Sequence, residues 1–178
     1  MAHINIEIKA RCPNQDKIRR ILKSAGADFK GVDHQIDTYF NVPNARLKLR
    51  QGKIENYLIY YERENKTGLK KSNVILYKPR PKSELKEILI KALGVLVIVD
   101  KQREIYFIGN VKFHLDAVKG LGKFIEIEAI DLNGRIGQPK LLKQGQYYLD
   151  LFGIKKESLI SASYSDLSSS AKYSVALA

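Results

Sequence analysis

The 178-residue sequence has no tryptophan, one cysteine, one methionine and only five prolines. A single thiol, Cys12, excludes an intramolecular disulfide and points to a reducing compartment. The longest apolar stretch, Ile88 to Val99, is broken by Lys91 and Gly94 and is too short for a bilayer-spanning helix. No basic-then-apolar leader opens the chain, so a soluble, cytoplasmic protein with no membrane partner is expected. Acidic residues are also scarce, 19 against 31 lysines and arginines, leaving a formal charge of +12. Such a surplus suits a polyanionic partner: nucleic acid, an anionic membrane or a phosphorylated small molecule. The 44% hydrophobic and 28% charged fractions are those of a folded globular chain. Its length fits one domain, expected over 1–167, and the Ser/Ala-rich end at 168–178 is expected to fray.

Against these absences stands a repeated alternation. From His3 to Arg11 the even positions Ile4, Ile6, Ile8 and Ala10 are apolar, while Asn5, Glu7 and Lys9 share the other face. Period two is the signature of a strand with one face on an apolar layer. Further strands follow over 29–40, 45–50 (Arg46, Lys48 and Arg50 on one face), 56–63, 72–78, 95–107, 111–117 and 123–130. Helices are expected after Asn14, at Ile18, Ile21, Leu22 and Ala25, and after Ser83, at Leu85, Ile88, Leu89 and Ala92. A third is expected over 139–152, weakened by Gly145.

The halves echo each other. Ile8-Lys9-Ala10 leads through a helix to Gln35-Ile36-Asp37-Thr38-Tyr39-Phe40, and Tyr77-Lys78-Pro79 leads through a helix to Gln102-Arg103-Glu104-Ile105-Tyr106-Phe107. Two such units predict an α+β fold: an eight-stranded, mostly antiparallel closed barrel with flanking helices and a pseudo-twofold repeat. With the polar faces inward, the interior holds Lys9, Arg46, Lys48, Arg50, Arg63, Lys78, Lys101 and Arg103 beside Glu7, Asp116, Glu126 and Glu128. So charged an interior must bind something. Cations suit a phosphate chain, and carboxylates beside them suit Mg²⁺ or Mn²⁺, with Glu126 and Glu128 holding one ion and Glu7 or Asp116 completing the set. His114 shares a face with Asp116, either as a proton shuttle or as a satisfied structural histidine.

These motifs resemble the CYTH superfamily, the triphosphate tunnel metalloenzymes. The resemblance rests on Asn5-Ile6-Glu7-Ile8-Lys9, which is similar to the Glu-x-Glu-x-Lys signature, and on Gln35 to Phe40, Arg46 to Arg50, Lys101-Gln102-Arg103 and His114 to Glu128, similar to the class IV adenylyl cyclase-like branch. It implies a tunnel that holds a triphosphate on Lys9, Arg50, Arg63, Lys78, Lys101 and Arg103, and divalent metal on Glu7, Asp116, Glu126 and Glu128. The departure is Asn5, an amide where the signature has a carboxylate. Metal-dependent hydrolysis of an inorganic or organic triphosphate is the expected activity, with Glu7, Lys9, Asp116, Glu126 and Glu128 at the chemistry. Cyclisation of ATP to cAMP is the alternative, and a non-catalytic polyphosphate or nucleic-acid binding module is the reading from another class. Clustered carboxylates argue against nucleic acid, and the apolar sheet exterior leaves a homodimer open.

Overall fold

Alternation along the first strand, β1 (Ala2–Arg11), puts Ile6, Ile8 and Ala10 on its outer face, each at most 2% exposed. The computed structural model, which describes residues 2–63 and 65–169, shows what covers them. Helix α1 (Gln15–Ser24) presents Ile18 and Leu22 to this face. β2 (Asp28–Phe40), β3 (Arg46–Gln51), β4 (Tyr57–Arg63) and β5 (Lys70–Tyr77) follow. After α2 (Leu85–Leu93) come β6 (Val95–Ile108), β7 (Val111–Val118) and β8 (Gly122–Asp131). Helix α3 (Gln138–Phe152) adds Leu141, Leu149 and Phe152 over the outward Phe113, Leu115, Ile125 and Ile127. The largest apolar core therefore lies outside the sheet, between the β1–β8–β7 wall and two helices. Each such fully buried side chain stabilises the fold by about 1.5–3 kcal/mol.

All eight strands close into one barrel in the order β1-β5-β4-β3-β2-β6-β7-β8, and every ladder is antiparallel. Exchanging β1–β4 with β5–β8 maps this ring onto itself in reverse, which is the expected pseudo-twofold. Closure leaves no edge strand to pair with another chain. Among the described residues, no helix is long and apolar enough to cross a membrane.

Four local expectations are corrected. Strand β5 begins at Lys70 and ends at Tyr77 rather than running from 72 to 78, so Lys78 stands past the strand end, exposed. Helix α2 starts at Leu85, with Glu84 rather than Ser83 at the cap position, because Ser83 is held in a turn by its N–H donating to the Arg80 carbonyl. Its apolar spacing predicts a buried face, yet none of its residues is buried and Ile88 is 58% exposed. Gly145 does not interrupt α3: the Leu69 side chain lies where its Cβ would be, so the absent side chain is a close-packing device. The expected frayed tail falls, from 170 onward, outside the described residues; 168 and 169 belong to a helical turn over 164–169.

Candidate active site

The inward face of the barrel is built by parity: odd positions of β1, β2, β4 and β6, and even positions of β3, β5, β7 and β8, point to the axis. Burying charge is tolerated only where it is paired and hydrogen-bonded, and the interior is a chain of such pairs. Asp37, fully buried, accepts from Lys101 Nζ at 2.7 Å, Lys48 Nζ at 2.9 Å and Arg50 Nε at 2.9 Å. Burial pushes its carboxyl up, but Arg50, Lys101 and Lys48 outweigh that and hold it well below the usual carboxylate range. Arg50 also reaches Glu55 at 2.8 Å, and Glu55 receives Lys112. Glu55 arrives on a loop wrapped round Asp33, whose carboxylate accepts the N–H groups of Lys53, Ile54 and Glu55 at 2.8–3.1 Å. A Cβ at Gly52 would strike the Asp33 carboxylate and the Glu55 carbonyl, so this wrap needs glycine.

On the opposite wall Arg103 makes two 2.6 Å bonds to Asp116 and a 2.9 Å bond to Glu126, and Lys9 lies 3.2 Å from Glu126. His114 Nδ1 lies 3.2 Å from Glu126 and 3.7 Å from Glu128. Ligand atoms of His114, Glu126 and Glu128 all fall within 4.8 Å of one another, a spacing that could hold one metal ion. Burial, then the charge of Glu126, pushes the Glu128 carboxyl up, partly opposed by Lys112. Burial, with Arg103 and Lys112, pushes the His114 imidazole down to about 3 despite Glu126. A neutral imidazole beside two crowded carboxylates is the donor set that a divalent cation would relieve. Glu7 sits directly across the β1–β8 ladder from Glu128 and is tied to Arg63.

Among the described residues, one row of polar atoms has no hydrogen-bond partner. Asn5 Oδ1, Ser72 Oγ, and Nε and Nη2 of Arg63 are buried without hydrogen bonds, and the ladders set Asn5 opposite Ser72 and Ser72 opposite Arg63. Such atoms cost free energy unless a ligand or water completes them. They line a cavity of about 550 Å³ that also includes Glu7, Lys9, Lys48, Arg50, Arg103, Glu126 and Glu128.

One end of the barrel is filled by the chain itself. After α3 and a 3₁₀ turn at Lys156–Ser158, Ile160 N–H bonds the Lys9 carbonyl, and the chain inserts Tyr164 among Tyr39, Val97, Val99, Val118 and Phe124. The Tyr164 hydroxyl donates to Asp116 at 2.7 Å and its ring lies 3.7 Å from Lys9 Nζ. Lys70 Nζ donates to the carbonyls of Ile160 and Ser161 at 3.0 and 2.9 Å, and Arg46 reaches Asp166 at 3.1 Å.

With this geometry established, residues 3–135 match the model of the CYTH domain family. The chain belongs to the CYTH domain family. A Methanocaldococcus jannaschii relative, provisionally named an adenylate cyclase, is 28% identical over 176 residues, covering 92% of this chain and 98% of the relative. Among solved structures, the PH1012 protein of Pyrococcus horikoshii is similar at 26% identity and TM-score 0.70, covering 92% of this chain and 98% of its own. A Vibrio parahaemolyticus protein, also provisionally named an adenylate cyclase, shares the fold at 16% identity and TM-score 0.73, with 95% and 99% covered.

Of the residues expected to grip phosphate in this CYTH barrel, Lys9, Lys48, Arg50, Arg63 and Arg103 line the cavity. Lys101 is inside the barrel but buried behind Asp37, Arg46 stands half-buried at the filled end, and Lys78 lies off the cavity. Of the expected metal residues, Glu126 and Glu128 come together with His114. Both oxygens of Asp116 are taken by Arg103, and one also by Tyr164. Sequence reasoning did not assign site roles to Asp33, Asp37, Glu55, Lys70, Lys112 and Tyr164. The first two lie on the same strand face as Gln35 and Tyr39, a signal that was available; Glu55 and Tyr164 follow turns and carry no periodic signal.

Proposed function

We propose that this CYTH domain is a metal-dependent hydrolase of triphosphates, inorganic or organic, bound inside the barrel. The observation that carries the reading is the juxtaposition, in one cavity, of five cations (Lys9, Lys48, Arg50, Arg63 and Arg103) with Glu126 and Glu128, which together with the neighbouring His114 form a group suited to Mg²⁺ or Mn²⁺. Bound there, a divalent ion supplies charge neutralisation for phosphoryl oxygens and a lowered pKa for water. The chain's own residues do the rest. Arg63, with two unused donors, and the Ser72 hydroxyl are free to donate to phosphate oxygens. Lys9 and Arg103 hold Glu126 in place and present positive charge to the same cavity, while Asp116 fixes the guanidinium plane of Arg103. Lys48 and Arg50, anchored on Asp37, give the opposite wall its charge. Electrostatic positioning of this kind is the main demand of phosphoryl transfer.

ATP cyclisation is the second reading, favoured by the provisional name of the 28% identical relative. Incubation with ATP and with tripolyphosphate in Mn²⁺, followed by anion-exchange separation of products, distinguishes the two. Orthophosphate or pyrophosphate with a non-cyclic nucleotide is expected. Stoichiometric cAMP would overturn hydrolysis in favour of cyclisation, and no turnover of either compound would overturn both.

A further inference from the structure

We infer that Glu55 is a positioning residue for the metal site: it holds the Lys112 ammonium away from Glu128 and so leaves that carboxylate free for a divalent ion. This rests on the proposed metal-dependent reading and names the residue that keeps its site open. Four carboxylates line the cavity: Glu7, Glu55, Glu126 and Glu128. Glu7 is tied to Arg63, Glu55 to Arg50 and Lys112, and Glu126 to Lys9 and Arg103. Among the described residues no lysine or arginine pairs with Glu128, and the nearest histidine nitrogen, His114 Nδ1, lies 3.7 Å away. Yet a lysine stands directly beside it. The β7–β8 ladder sets Lys112 opposite Glu128, both on the inward face and both on the cavity wall. Oppositely charged side chains ordinarily pair from such positions.

Glu55 is what prevents this pairing. Its carboxylate accepts from Lys112 through one oxygen, and from Arg50 and Gln35 through the other, at 2.8 and 2.9 Å. The three donors differ in what else holds them. Arg50 also makes two bonds to Asp37, and Gln35 also donates to Asp33. Among the described residues the Lys112 ammonium has no hydrogen bond or ion pair other than those to Glu55. Loss of the Glu55 charge therefore releases Lys112 alone, and the carboxylate facing it across the ladder is Glu128. A lysine on Glu128 competes with a metal ion there, because both need the same oxygen lone pairs and the same negative charge. The wrap around Asp33 fixes Glu55 in this place: the Asp33 carboxylate takes three N–H groups of the loop, and Gly52 lets the loop close over it.

The test is a double-mutant cycle on the Mn²⁺ affinity of the full chain, read by electron paramagnetic resonance without substrate. Glu55→Gln keeps the shape of the side chain but removes the charge that holds Lys112, and is expected to lower the affinity about tenfold. In a Lys112→Met background the same change is expected to cost less than about twofold, since no ammonium is left to fall on Glu128. Equal losses in both backgrounds would mean that Glu55 acts only through the field of the cavity, and would overturn the inference. An undiminished affinity in Glu55→Gln overturns it as well. Gly52→Ala alters no charge but displaces the Glu55 loop from Asp33, and carries the test if Glu55→Gln does not fold. It is expected to lower the affinity in the same direction, and less so in Lys112→Met; an unchanged affinity overturns the inference. Each of these failures leaves the metal-dependent reading standing, because the unaltered chain still binds Mn²⁺. Absence of Mn²⁺ binding by the unaltered chain overturns the inference and the reading together.

Discussion

At the scale of single residues, the interior is governed by pairing. Asp37 neutralises three cations that would otherwise be stranded in a low-dielectric wall. Removing one partner of a buried ion pair costs about 3–5 kcal/mol. Asp37→Asn is therefore expected to lose about that much stability in urea denaturation, with a folded barrel still detectable by circular dichroism. The pH dependence has a definite sign. Asp37 and Glu55 have folded pKa values held below their ordinary values of 3.8 and 4.5. Their stabilisation is thus fully present above those ordinary values and is lost as pH falls through the folded ones. The midpoint urea concentration should be insensitive to these two groups between pH 6 and 8 and fall on acidification below about pH 4.

Asn5 gives the second prediction at this scale. Its orphaned Oδ1 lines the cavity one step from Glu7 and Glu128, so Asn5→Glu adds a carboxylate to the acidic side of the site. Mn²⁺ affinity, read from the bound-ion signal in electron paramagnetic resonance, is expected to rise about tenfold, because charge count tunes oxygen-ligand affinity; an unchanged affinity would place Asn5 away from the ion.

At the scale of elements, what could be read from the chain depended on periodicity. The inward sets Asn5–Glu7–Lys9, Arg46–Lys48–Arg50 and Glu126–Glu128 were legible because strand alternation fixes the face of every residue once the strand is found. Lys78 shows the limit: its parity was inward, but the strand stops at Tyr77, and parity means nothing beyond the last ladder bond. Glu55 shows another, since it enters the interior on a wrap held by Asp33 and made possible by Gly52. The pseudo-repeat was legible in outline, yet it hid a difference between its helices. Helix α1 seals a core, whereas α2 buries none of its residues. The segment after α3 was not legible at all, because its contacts with Lys9, Lys70, Arg46 and Asp116 come from sequence positions 48 to 155 residues distant. Tyr164→Ala is expected to cost about 3–5 kcal/mol in denaturant titration, since it empties a packed aromatic site and strips a hydrogen bond from Asp116.

At the scale of the whole molecule, the +12 charge and the charged interior turn out to be separate matters. Eight cations of the interior (Lys9, Lys48, Arg50, Arg63, Lys70, Lys101, Arg103 and Lys112) face seven carboxylates (Glu7, Asp33, Asp37, Glu55, Asp116, Glu126 and Glu128). The interior is nearly balanced, so almost all of the surplus lies on the exterior. Retention on a heparin column is expected to be strong, to weaken steeply with salt, and to be the same in Asp37→Asn and Asn5→Glu within the elution width. A large shift in either variant would mean that the interior contributes to the outer field.

The filled end of the barrel also dictates a sequence in time. Among the described residues the cavity is filled at the Tyr164 end, so it works like a dead-end street: what goes in first comes out last. Under the proposed triphosphate reading, an ester that enters phosphates-first and is cut at the bond nearest its organic group would release that group first and the phosphate fragment second. Steady-state inhibition should show this order, with the phosphate fragment competing directly against substrate and the organic product giving a mixed pattern. The reverse assignment would mean that the Tyr164 end opens during turnover.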